Sequence, residues 1–189
     1  KADCLRVMGS KGTTEHDFQQ LYPETEYKIY AIGIDELTGE FNTEVIFSEV
    51  ITTPAKGVSE AYIEVTFDKY FDGSALAQKY PQEFGDAAGY AVVPLKVTKH
   101  GDVAQFWYDV YSDDLSDTTY PTDLDLIIDL QINGIANKEY TYAYCDYSTI
   151  LTLASFCKDS EDNDSAVTRN VFRVLDSGVS PVDEFEFFE

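Results

Sequence analysis

Gln105, Trp107, Asp109 and Tyr111 alternate along one stretch of chain, so in an extended strand their side chains share one face. An indole and a phenol beside a carboxylate and an amide can stack on a sugar ring or anchor a protein partner. Other placements stay open for Trp107: cover by a neighbouring module, cover by the irregular segment at 71–86, or a reversed register that turns it into the core. Enzyme signatures are sparse. The chain has only two histidines, His16 and His100, so a metal site built on several imidazoles is excluded. It has no Gly-x-Ser-x-Gly elbow, His-Glu-x-x-His pair, phosphate loop or dinucleotide fingerprint.

With 35 Asp and Glu residues, a carboxylate pair of the glycosidase kind is available on paper. Such chemistry requires two acids in one cleft with opposed pKa shifts. The densest oxygen cluster is Asp159-Ser160-Glu161-Asp162-Asn163-Asp164-Ser165, and Asp113, Asp114 and Asp117 form a second acidic loop. Calcium takes roughly six to eight oxygen ligands. The 159–165 loop lacks the glycine and distal glutamate of an EF-hand, and a solvated hairpin tip is the expected state. No catalytic, metal-ligating or cofactor-binding residue is assigned, and no cofactor is expected.

Thirty-five acids against 13 bases give a net charge of −22. That field repels phosphate backbones and anionic lipid, which argues against nucleic acid as a partner. No apolar run approaches the roughly 20 residues of a membrane helix. Cys4, Cys145 and Cys157 lack Cys-x-x-Cys spacing and read as buried free thiols. A Cys145–Cys157 pair across neighbouring strands stays open, which would leave Cys4 alone.

The elements that position these residues are strands. Tyr27, Ile29 and Ala31 alternate after the Pro23-Glu24 turn, as a half-buried strand requires. Strands are expected at 17–21, 26–35 and 43–52, with 36–40 as a hairpin loop. Three strands cannot cover their own apolar face, so residues 1–54 read as part of a domain, completed by upstream strands or by a partner. Pro54 to Ser59 reads as a linker, its core at 55–59, and residues 60–189 form a second module. There Ala61-Ile63-Val65-Phe67, Ala91-Val93-Leu95-Val97 and Ala104-Phe106-Tyr108-Val110 alternate. Pro94 points to an edge strand or a bulge, and His100-Gly101-Asp102 to a tight hairpin. Residues 122–134 alternate like a strand, yet Thr122 with Asp125 makes a capping box and Gly134 a stop. A short helix is expected. Strands follow at 139–145, 149–158 and 167–175. Asp35 and Asp159 then occupy like positions, 124 residues apart (159 − 35), as in two related modules.

Tyr22-Pro23-Glu24-Thr25-Glu26-Tyr27 running into a strand that ends in Ala31, closed by Ile51-Thr52-Thr53-Pro54, resembles the corner and last two strands of a fibronectin type III domain. Tyr27 is placed like the corner tyrosine of that fold. Asp68-Lys69-Tyr70-Phe71-Asp72-Gly73, Tyr120-Pro121-Thr122-Asp123 and Asp176-Ser177-Gly178-Val179-Ser180-Pro181 resemble recurrent modules of secreted Bacteroidetes lipoproteins. The second module departs from the fibronectin pattern, lacking the Pro-x-Thr-x-Tyr corner. The resemblance implies an all-β chain of tandem fibronectin type III-like or immunoglobulin-like sandwiches, the first incomplete. It implies a non-catalytic structural or protein-interaction module at a bacterial cell surface or otherwise exported, any anchor lying upstream of Lys1. Two alternatives stand beside it. One is a carbohydrate-binding module with Trp107 and Tyr111 exposed. The other is an accessory domain of a glycan-active hydrolase.

Overall fold

The computed structural model describes residues 21–188 together with Gly12, Glu15 and Phe18. Of the strand expected at 17–21 only Phe18 and Leu21 are described; Cys4 and His16 lie outside the described residues. The chain divides into two compact units, Lys1–Lys56 and Gly57–Glu189.

The described part of the first unit is one antiparallel hairpin. β1 (Glu26–Tyr27) pairs with β4 (Ile51–Thr52), and β2 (Tyr30–Ala31) with β3 (Ile46–Phe47). Tyr27 faces Ile51 while Tyr30 faces Phe47, so the returning strand holds one extra residue between the two ladders, a bulge. Ser48 manages it: its N–H donates to Ile29 O at 2.8 Å, and its hydroxyl accepts from Ile29 N–H at 3.0 Å. The Tyr27 hydroxyl accepts from Tyr22 N–H at 2.7 Å, satisfying backbone five residues upstream. Thr53 closes the base by accepting from Thr25 N–H at 3.0 Å and donating to Tyr22 O at 2.5 Å. At the tip the Asp35 carboxylate accepts from Leu37 and Thr38 N–H at 2.9 and 2.8 Å. None of residues 21–56 is buried.

In the second unit β5 (Tyr62–Thr66), β6 (Phe71–Asp72), β7 (Ala91–His100) and β10 (Tyr140–Cys145) form one antiparallel sheet, ordered β10-β7-β5 with β6 also on β7. β8 (Gln105–Tyr111), β9 (Ile135–Ala136), β11 (Leu151–Lys158) and β12 (Thr168–Phe172) form the other, ordered β12-β11-β8-β9. The alternating residues do what their period requires. Ala61, Ile63, Val65, Ala91, Val93, Leu95 and Val97 from the first sheet meet Phe106, Tyr108, Leu151, Leu153 and Cys157 from the second in one core. Every residue from Leu151 to Cys157 is buried, because β11 faces this core on one side and a helix on the other.

The structure corrects several expectations. His100-Gly101-Asp102 does not close a hairpin: β7 and β8 lie in different sheets, so this turn carries the chain across. Gly101, at φ +77°, runs against Ala61, where an added Cβ would lie 3.3 Å from the Ala61 Cα. Pro94 lies in a central strand rather than at an edge. β6 pairs with residues 91–92 and β5 with 96–100, so Pro94 falls in a gap where that side of β7 has no partner. The missing N–H is tolerated there.

Residues 71–86 are not irregular. After β6 come α1 (Gly73–Lys79) and α2 (Pro81–Phe84). Asp72 caps α1, accepting from Ala75 N–H at 2.7 Å, and Pro81 opens α2, where a missing N–H is harmless. Leu76, Phe84 and Ala87 bury into a small second core with Phe71, Val92 and Phe185. Residues 122–134 form α3 (Asp123–Asn133), and the Thr122–Asp125 capping box is made in both directions. Leu126 and Leu130, one turn apart, are its buried residues. The helix ends where Gly134 takes extended backbone (φ −74°, ψ 169°), and glycine suits the site because a Cβ there would sit 2.6 Å from Leu130 O. Cys145 and Cys157 are free and buried. They belong to opposite sheets, and no disulfide joins them.

Candidate functional site

Phe106 and Tyr108 face the core, which turns Gln105, Trp107, Asp109 and Tyr111 to the outside of their sheet. That outside is roofed by α3. Trp107 pairs across the ladder with Phe156, and their rings stack at 5.0 Å and 10°. Leu115, Leu126 and Leu130 close over them, and Ala154, Tyr111 and Ile127 belong to the same cluster. Trp107 and Tyr111 are therefore half-buried, not an exposed platform, and only Gln105 at the strand end is exposed. The cover is α3 rather than the 71–86 segment.

Polar groups in this seam are spent on holding the roof. The Tyr111 hydroxyl donates to Asp129 Oδ2 at 2.6 Å, and Asn133 Nδ2 donates to Asp129 Oδ1 at 2.7 Å. Burial, the hydrogen bond to Asp129 and the charges of Asp129 and Asp109 hold the Tyr111 phenol far above the ordinary tyrosine range. Burial raises the Asp109 carboxyl, the Val110 amide opposes, and the charge of Asp129 adds to the rise. On the core side, the Tyr108 hydroxyl donates to Lys138 O at 2.9 Å, and burial followed by the charge of Asp109 pushes it up to about 12. A phenol so difficult to ionise is no nucleophile at neutral pH, and both Asp129 oxygens already have donors. This arrangement fixes a helix to a sheet.

Arg169 on β12 fixes the other end of the roof. Its Nη1 donates to Leu115 O and Asp117 O at 2.9 and 3.0 Å, and its Nη2 to Pro121 O and Asp123 Oδ1 at 3.0 and 2.5 Å. The side chain is 6% exposed. Buried Thr152 supplements it, donating to Asp113 O at 2.7 Å and accepting from Leu115 N–H at 3.0 Å. Neither residue is singled out by its sequence context. The one available signal is that Arg169 is among only 13 basic residues in a strongly acidic chain.

The acidic loops turn inward on their own backbone. Asp159 Oδ1 accepts from Glu161 and Asn163 N–H at 3.0 and 2.9 Å, and these bonds, that from Asn163 first, hold its carboxyl below the usual range. Asp114 and Asp117 cap Ser116 and Thr119 in the same manner and are lowered by those bonds. Among the described residues no group of three or more His, Cys, Asp or Glu is placed to hold a metal ion. His100 stacks on Tyr62 at 4.4 Å and 10°, with its Nε2 3.7 Å from Glu64 Oε2. Burial, ahead of the charge of Asp146, pushes the Cys145 thiol up to about 12, and burial also raises Cys157, which leaves both inert.

Among the described residues, exposed aromatic side chains gather on two surfaces. One is the first-unit hairpin, where Tyr30, Phe41, Ile46 and Phe47 are each more than half exposed. The other is the outer side of β10, where Tyr140 and Tyr144 are exposed and Tyr142 between them is half-buried. Among the described residues no helix is long and apolar enough to cross a membrane. No protein-family model, curated protein or solved structure matches this chain.

Proposed function

We propose that the chain is a non-catalytic interaction module of an exported or cell-surface bacterial protein, built from fibronectin type III-like or immunoglobulin-like sandwiches. Strand order supports the fold reading. With β5, β7, β8, β9, β10, β11 and β12 lettered A, B, C, C′, E, F and G, the two sheets become A-B-E and C′-C-F-G, an arrangement of the immunoglobulin class. The insertions α1–α2 before B and α3 between C and C′ are departures from the plain sandwich. The absence of a corner tyrosine in the second unit is another: Tyr147 instead donates to Asp72 Oδ2 at 3.3 Å. A net charge of −22 suits a solvated protein with neutral or basic partners.

The observation that carries the functional reading is the open hairpin. Among the described residues the pairings β1–β4 and β2–β3 leave both outer edges without a strand partner, and the hairpin carries exposed apolar groups. An isolated two-stranded hairpin is marginal in water, and unpaired edges recruit further strands. Strands preceding it in the same protein are the proposed cover, laid along residues 26–34 as β8 lies along β11.

Hydrogen exchange of the purified chain, read beside light scattering, tests this. The amides of 26–34 and 46–52 should exchange orders of magnitude faster than those of β11, with self-association or dye binding through the hairpin. A monomer whose hairpin amides are protected as strongly as β11 would overturn the reading.

A further inference from the structure

β10 carries tyrosine at every second position, Tyr140, Tyr142 and Tyr144, while Ala143 and Cys145 point into the core. The middle ring is covered: Phe84, Phe185 and Phe188 lie 5.2, 5.7 and 5.0 Å from Tyr142. Tyr144 is 43% exposed and has an exposed neighbour, Tyr90, with ring centroids 6.5 Å apart and planes 21° from parallel. In the register of β7 and β10, Tyr144 faces Val92, so Tyr90 is its diagonal neighbour on the same side.

Tyr90 is held in this place by its backbone. Gly73 N–H donates to Tyr90 O at 2.9 Å, and Tyr90 N–H donates to Ala87 O at 3.1 Å. Gly89 before it takes φ +91°, and its N–H donates to Ser74 Oγ at 3.1 Å. Any side chain at Gly73 would collide with the carbonyls of Ala87 and Tyr90. Two near-parallel phenols thus neighbour each other, one on β10 and one on a turn whose backbone is pinned by hydrogen bonds, which lowers the cost of ordering that turn around a ligand. Asp146, exposed, follows Tyr144 by two residues, just past the end of the strand.

We infer that Tyr90, Tyr144 and Asp146 form a binding site for the pyranose rings of an uncharged polysaccharide. The C–H-rich face of a pyranose fits flat against an aromatic ring, and its hydroxyls find acceptors in a carboxylate and in the phenol rims. Near-parallel adjacent rings suit a repeating chain of flat rings rather than the uneven surface of a protein. The net charge of −22 excludes polyanionic glycans by repulsion. This site shares no residue with the hairpin or with the seam under α3, so its failure would leave the interaction reading untouched.

Affinity electrophoresis of the full chain through gels containing hydroxyethyl cellulose, galactomannan or amylopectin, with polygalacturonate as the anionic comparison, tests the site. Retardation is expected in at least one neutral gel and none in polygalacturonate. Tyr144→Ala and Tyr90→Ala should each weaken retention about tenfold, the loss of one stacked ring, and Asp146→Asn by a smaller factor. Trp107→Phe should bind as the wild type does. Tyr90 lies on a loop, so its variant stands as the decisive one if Tyr144→Ala unfolds, with circular dichroism confirming the fold. No retardation in any neutral gel, retention only by polygalacturonate, or a folded Tyr90→Ala that binds unchanged would each overturn the assignment.

Discussion

Two hairpins in this molecule are built alike and live differently. Each turns on an aspartate, Asp35 or Asp159, whose Oδ1 accepts the N–H two residues on. In the second unit the strand after the corner, β11, is buried from Leu151 to Cys157 by β8 on one edge, β12 on the other, the core beneath and α3 above. In the first unit the like strand has only its hairpin partner among the described residues, and Ile29, Tyr30 and Ile46 are 39%, 68% and 69% exposed. Local turn chemistry therefore makes a hairpin without making a domain. Burial comes from what lies around it, and that differs between the two.

The largest expected effect tests this contrast directly. Leu153 and Ile29 are equivalent at the 124-residue offset (153 − 29), and Leu153 is 1% exposed. Leu153→Ala should cost roughly 2–5 kcal/mol in urea unfolding, the usual penalty for truncating a leucine in a packed core. Ile29→Ala should cost less than about 0.5 kcal/mol, as at a surface position. Equal losses at the two positions would mean that the first hairpin is covered within this chain, and the contrast would collapse.

A second variant asks how far the security of β11 depends on its roof. Arg169→Ala leaves three carbonyls and the Asp123 carboxylate without their buried donor. It should cost roughly 2–4 kcal/mol, with amide exchange rising first in 113–133 and only later in the two-sheet core. Uniform acceleration across β7 and β11 would show instead that the roof and the core open together.

The contrast also explains what could be read from the residues alone. Alternation at 61–67, 91–97 and 104–110 marks the core faces, because a strand with one buried side must repeat every second residue. The helix at 123–133 is legible from its caps despite five alternating aliphatic residues, since Thr122 and Asp125 bond locally. The roof over Trp107 is not legible. Alternation tells which side a residue takes, not what later packs on that side. Arg169 is opaque for the same reason: its acceptors are 46 to 54 residues away and mostly backbone carbonyls. Turn chemistry at Gly101 announces a reversal and is silent on which sheet the next strand joins. The helices α1 and α2 are seven and four residues long, too short for a period to show.

The smallest effect concerns the strand that flanks β11. Asp109 lies on β8 opposite Ala154, and burial, with the charge of Asp129 adding, raises its carboxyl above the ordinary 3.8. A group raised in the folded state favours folding most when protonated. Its contribution is therefore fully present below about pH 3.8 and is lost as pH rises through the folded value. At neutral pH a charged Asp109 weakens the seam between β8 and α3. Asp109→Asn removes the charge and keeps an oxygen for the Val110 N–H, which Asp109 Oδ1 accepts at 2.8 Å. The variant should melt higher than the wild type at pH 7, and the gap should close as pH falls below the folded value toward 3.8. Asp114, Asp117 and Asp159, all lowered, lose stability on acidification in both proteins and cancel in the difference. The like position at the 124-residue offset from Ala154 is Tyr30, which is 68% exposed and has no such carboxylate opposite it among the described residues. A melting difference that stays constant from pH 7 to pH 3 would therefore locate the effect in packing rather than in the buried charge beside β11.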